Sequence, residues 1–241
     1  MSVHVFKVVG TAVLSAAMLS ACGGGGGDPP PETSNPPVVA TFALKAGYQA
    51  RIVSGASDSF NVSGSNGCVG TAKISTAAAV PSTFEGVVGV ASAQVTTLNF
   101  TNCAPATDTT TGTNFYNGNY LPIGLSEEGG EYAKFESPPT DIPTLVKVGQ
   151  SAIIATLITY TDSTLAVSTG KRVISYEIKA DTDPTKAIVN IVTRIYDKVN
   201  LLTAETLSYR IAQNGSLTLT LFEVQFGTTS DLRLVLTPIP K

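Results

Sequence analysis

The chain has 241 residues, of which 14% are charged and 43% hydrophobic, with a formal net charge of −3. No dense Lys/Arg cluster interrupts that balance, which excludes the electrostatic footprint of a nucleic-acid binder. The only histidine is His4, so the body of the chain has no imidazole for Ser-His-Asp or Cys-His catalysis, or for a His-rich zinc site.

In chain order, the first element reads as a leader. Lys7 is its one firmly charged residue, and Val8 to Met18 is an apolar run broken only by Gly10, Thr11 and Ser15. That run is shorter than the roughly 20 apolar residues a bilayer-spanning helix needs. A basic start, a short apolar core and small residues before a cut point make a secretory signal. The small residues run into Leu19-Ser20-Ala21-Cys22, which resembles the lipobox of bacterial lipoproteins. The resemblance implies that residues 1–21 are a cleaved signal helix. It also implies that the Cys22 thiol carries diacylglycerol and that the new amine is acylated. Several acyl chains give stable anchoring where one gives only marginal binding. The membrane is thus the first expected partner, and the expected location is the bacterial cell envelope. The outer membrane is favoured, because Gly23 is not the aspartate that resembles an inner-membrane retention signal.

Residues 22–40 read as the acylated cysteine and a disordered tether. Gly23 to Gly27 supply flexibility, and Asp28-Pro29-Pro30-Pro31 and Pro36-Pro37 supply stiffer polyproline II segments. About two hundred residues remain, enough for one large domain or two small ones. Their abundant Thr, Val, Ile and Ser favour strands and surface loops. We expect an all-β fold, with an N-terminal β region over 41–143 and a C-terminal antiparallel meander over 144–241. Together they would form a barrel-like or sandwich domain.

In the N-terminal region, alternation of Phe42, Leu44, Tyr48, Ala50 and Ile52 reads as a strand. Further strands are expected over Asp58–Val62, Cys68–Thr76, Val87–Val90 and Val95–Thr101. With Cys22 acylated, Cys68 and Cys103 remain as a pair, and an oxidising envelope lets them form a disulfide between neighbouring strands. Pro105 to Thr113 reads as a mobile loop. Asn117-Gly118 predicts a type I′ hairpin turn, and Ser137 to Pro143 a crossover.

The C-terminal half alternates more clearly. Strands are expected over Ile153–Thr161, Arg172–Asp181, Ala187–Asp197, Leu201–Ile211, Ser216–Phe226 and Leu232–Thr237. Turn chemistry separates them, so an antiparallel meander follows. Ile174, Tyr176, Ile178 and Ala180 share one face, as do Leu207, Tyr209 and Ile211. In the fifth of these strands the apolar parity slips from Leu217, Leu219 and Leu221 to Phe222, Val224 and Phe226. A one-residue slip would flip the buried face, so a β-bulge is predicted near Leu221–Phe222. Strands of this length also suit a transmembrane barrel, for which an acyl anchor would be redundant.

Several side-chain sets invite a chemical reading. Glu127, Glu128, Glu131 and Glu136 surround Gly129-Gly130; paired carboxylates serve glycosidases or hold calcium, and otherwise form a solvated acidic turn. Phe115, Tyr116, Tyr120, Tyr132 and Phe135 suit sugar stacking or cross-strand packing. Ser168-Thr169-Gly170-Lys171 matches the Ser-x-x-Lys string of penicillin-recognising enzymes, but its companion motifs are missing. Asp181-Thr182-Asp183-Pro184 reads as a capped turn. No catalytic or metal-binding set and no cofactor is expected. The sequence thus reads as a monomeric outer-membrane-anchored lipoprotein with a non-catalytic ligand-binding or structural β domain. Its ligand would be a lipid, a glycan or an envelope protein. The alternatives are a carboxylate-dependent glycan-active enzyme and a surface adhesion module.

Overall fold

Alternating apolar and polar residues commit most of the chain to strands, and the computed structural model describes residues 40–103, 105–227 and 232–240. The leader, Cys22 and most of the tether lie outside the described residues. One helix, α1 (Leu44–Ser54), precedes β1 (Ala56–Gly64), β2 (Val69–Thr76), β3 (Val80–Phe84), β4 (Val87–Phe100) and β5 (Thr107–Asn117). There follow β6 (Pro122–Glu127), β7 (Tyr132–Phe135), β8 (Ser151–Tyr160), β9 (Ser168–Ala180) and β10 (Lys186–Asp197). The last strands are β11 (Asn200–Ala212), β12 (Leu217–Phe226) and β13 (Arg233–Pro238).

The fold is all-β and antiparallel. From β4 to β13 every strand pairs with the next in sequence, so the meander extends well beyond the C-terminal half. β13 then pairs with β1, β1 with β2, and β2 with the C-terminal part of β4. These pairings close a 12-strand barrel. β3 stays outside the ring, on the N-terminal part of β4.

The period of two sorts each strand into outward and lumen-facing residues, clearest in β1 and β9. Ser57, Ser59, Asn61 and Ser63 of β1 face out, whereas Phe60 and Val62 are buried. Ser175, Glu177 and Lys179 of β9 alternate with the buried Tyr176 and Ile178 in the same way.

The predicted parity slip in β12 is present, one residue upstream of its expected position. Leu219 pairs with Tyr209 and Leu221 with Ser208, so Thr220 is the extra residue. The Thr220 hydroxyl donates to the Ser208 carbonyl at 2.9 Å, satisfying a group the interrupted ladder leaves over.

Four expectations are corrected. Residues 44–54 form a helix, not a strand: Leu44, Tyr48, Arg51 and Ile52 recur at helical spacing and all face the lumen. The Thr-rich stretch after Pro105 is strand β5, whose β-branched residues pair with β4, Thr107 donating to Asn99 at 3.1 Å. β4 is one long strand where two short ones were expected. At the β5–β6 hairpin, Tyr120 takes the left-handed conformation (φ 62°), and Asn117 Oδ1 accepts the amides of Asn119 and Leu121. The Asn117-Gly118 pair therefore does not form a type I′ turn, which needs positive φ at both central residues.

The barrel has two distinguishable ends. At the end of the β11–β12 turn, α1 packs against the sheet. The connection 136–150 lies there too, through a bridge between Phe42 and Val146. Phe42, Leu44, Ile142, Val146, Ile178 and Ile211 form a single buried cluster at this end. Gly47 makes the close packing of α1 possible, since a Cβ there would lie 2.0 Å from the Gly215 carbonyl oxygen. The opposite end carries the β6–β7, β8–β9 and β10–β11 turns. There a disulfide joins Cys68 to Cys103, with Cα atoms 5.7 Å apart.

Candidate functional site

The lumen holds a cavity of about 560 Å³, lined by strands from both halves of the chain and by α1. Inward residues of β9 to β12 make its apolar wall, among them Ile174, Ile191, Leu207 and Phe222. Of the residues that alternation groups on one face of their strands, Ile174, Leu207 and Tyr209 line the cavity. Tyr176 belongs instead to the packed cluster under α1.

The β4 and β5 side of the cavity is polar, with Ser92, Gln94, Thr96, Thr110 and Asn114, and two charged groups line it as well. Near α1, Arg51 Nη2 donates to Asp58 Oδ2 at 2.7 Å, and the guanidinium lies 4.9 Å from the centre of the Tyr209 ring. Tyr48 and Tyr116 complete this group. Burial pushes the Tyr116 phenol up to about 12 and raises Tyr48 and Tyr209 above the ordinary tyrosine value. All three hydroxyls therefore stay protonated at neutral pH, able both to donate and to accept.

The second group lies toward the opposite end. Arg172 of β9 reaches Glu131 through Nε and Glu127 through Nη2, the latter at 3.5 Å. Glu205 of β11 also points into the lumen, four residues before Tyr209 on the same strand, or about 13 Å along it. Burial raises its carboxyl above the ordinary glutamate value. The charge of Arg172 opposes that rise, and Glu127 and Glu131 add to it. Glu205 accepts no hydrogen bond among the described residues. Every side-chain polar atom there that is cut off from solvent space has a partner, so the Glu205 oxygens must open onto the cavity.

The acidic cluster expected around Gly129-Gly130 therefore divides. Glu127 and Glu131 converge on Arg172, while Glu128 and Glu136 are exposed. Glu205 joins Glu127 and Glu131 from a remote part of the sequence. The aromatic set divides as well. Phe115 stacks on Phe84 at 4.2 Å and Tyr132 lies 5.5 Å from the same ring, whereas Tyr116 lines the lumen. Tyr132 donates to Glu85 at 2.6 Å, and Lys134 pairs with the same carboxylate, holding it below its usual range.

Ser168 to Lys171 starts strand β9, with the Thr169 hydroxyl donating to Thr159 at 2.9 Å. No helix begins at that serine. Asp181 and Asp183 accept backbone amides two residues on, as a capped turn requires. Sequence reasoning missed Arg51, Asp58, Arg172 and Glu205 as lumen residues. Only barrel closure brings them to one cavity, although each sits at an inward position of its element. No known protein family, curated protein or solved structure matches this chain.

Proposed function

We propose that this chain is a non-catalytic binding lipoprotein: a barrel, held at a membrane by acyl chains on Cys22, that carries an apolar or amphipathic small molecule in its lumen. The observation that carries the reading is the cavity of about 560 Å³, whose lining is apolar along β9 to β12 and holds a few placed charged groups. Ligand sites generally occupy about 300–1,000 Å³, are mostly apolar and hold a few placed polar groups. The anchor rests on Leu19-Ser20-Ala21-Cys22 and the Gly/Pro stretch after it. An adhesion surface is less well supported, because the aromatic residues split between lumen and outer wall. A glycan-active enzyme is less well supported because Glu127 and Glu131 are both engaged by Arg172.

Native mass spectrometry of the full chain tests the carrier. A co-purified adduct of lipid-like mass is expected. A bare mass, with no uptake of an apolar fluorophore such as N-phenylnaphthylamine, would remove the carrier reading. For the anchor, Cys22→Ser is expected to move the protein from the membrane to the aqueous fraction; retention in the membrane would refute the lipidation.

A further inference from the structure

The feature that an apolar carrier does not need is Glu205. A carboxylate placed in a lumen without a hydrogen-bond partner is costly, and such groups are ordinarily paired. The charges acting on it are Arg172, Glu127 and Glu131. Arg172 is already engaged by Glu127 and Glu131, so the carboxylates outnumber the guanidinium in this part of the cavity. On the neighbouring strands the residues paired with Glu205 are Thr193 of β10 and Val224 of β12, neither of which titrates. The local imbalance is negative, and the unsatisfied groups are acceptors.

We infer that the lumen receives an amphiphilic amine, its ammonium head against Glu205 and its apolar body along Ile174, Ile191, Leu207 and Phe222. This rests on the ligand-binding reading above and narrows it to a ligand class. An ammonium donates up to three hydrogen bonds, which suits the free Glu205 oxygens and the outer lone pairs of Glu127. A metal ion fits less well, because among the described residues no group of His, Cys, Asp and Glu side chains is spaced to hold one. An anionic head would need Arg172 to leave two carboxylates.

The test is calorimetric titration of the full chain, wild type and Glu205→Gln, with octylamine, octanol and octanoate at pH 8. Octylamine keeps its proton there, since a primary alkylamine titrates near about 10.4. Wild type is expected to bind octylamine at least about tenfold more tightly than octanol, as a charge-assisted bond implies. Glu205→Gln is expected to erase that preference, weakening octylamine by at least about tenfold. Equal affinities for all three probes in wild type would overturn the amine site while leaving the carrier standing. A preference for octanoate would also overturn it, by making Arg172 the head-binding group. No binding of any probe would overturn the carrier and the amine site together. Should Glu205→Gln fail to fold, a pH series on wild type decides. Octylamine affinity is expected to rise with pH as Glu205 ionises while octanol stays flat, and a flat octylamine series overturns the inference.

Discussion

Glu205 leaves a signature in stability that needs no ligand. Its carboxyl titrates above the ordinary glutamate value in the folded barrel, so the folded state holds that proton more tightly than the unfolded chain. The corresponding stability is fully present below the ordinary glutamate range, near about 4.3, and is lost as pH rises through the raised value. Glu85, Asp162 and Asp181 are shifted the other way, so their contributions are present at neutral pH and are lost as pH falls. Comparing Glu205→Gln with wild type cancels them. The variant should be more stable than wild type by roughly 1 kcal/mol at pH 8, with the difference shrinking toward pH 4. Urea denaturation at both values measures this; a variant less stable than wild type at pH 8 would mean that Glu205 has a structural partner.

At the scale of elements, α1 depends on one hydrogen atom. In an exposed helix, alanine would be favoured over glycine by about 1 kcal/mol. At position 47 the added Cβ would meet the Gly215 carbonyl oxygen at 2.0 Å, and Gly215 itself holds φ 90° in the β11–β12 turn. Neither backbone can yield without moving the helix off the barrel end, so Gly47→Ala should destabilise by about 2 kcal/mol. A rise in the urea midpoint would show that the contact is loose. The same helix shows where the sequence was ambiguous. Phe42, Leu44, Tyr48, Ala50 and Ile52 satisfy a period of two, yet Leu44, Tyr48 and Ile52 also satisfy a period of four, and Arg51 joins their face only in the helix. An arginine on the lumen side does not register as hydrophobic. The strands from Ser151 onward were legible because each alternates over ten or so residues and ends in turn chemistry. The slip at Leu219–Phe222 was legible for the same reason. Strand β5 was not, because Thr107 to Thr113 carries no apolar alternation and pairs only because long neighbours flank it. Of the site, Ile174, Leu207 and Tyr209 could be assigned to an inward face. The meeting of Arg172 with Glu127 and Glu131 could not, because it depends on curvature that brings β6 and β9 together.

For the whole molecule, closure is the decisive step. The ring shuts where β2 meets β4, after the chain has left to make β3 and returned. The Cys68–Cys103 disulfide spans the turns beside that seam, closing a loop across a separation of 35 residues. In the chain-entropy model such a loop contributes about 3.5–4 kcal/mol. The Cys68→Ser, Cys103→Ser double variant should therefore lose about that much in urea and still unfold in one transition, since every strand of the ring leans on two others. Two separate transitions would mean that the halves fold independently.

Because the ring is closed, almost no strand offers its backbone to a second chain. β3 is the exception among the described strands: it pairs only with β4. An unpaired edge is a template on which another molecule can add a strand, the first step toward aggregates. β3 is five residues long and carries Pro81 near its start, which shortens the template and removes a donor from it. The barrel has thus concentrated its whole risk of edge-to-edge self-association into one short segment, and that segment is blunted. Barrels that have finished folding therefore give chains still unfolded little to grow on.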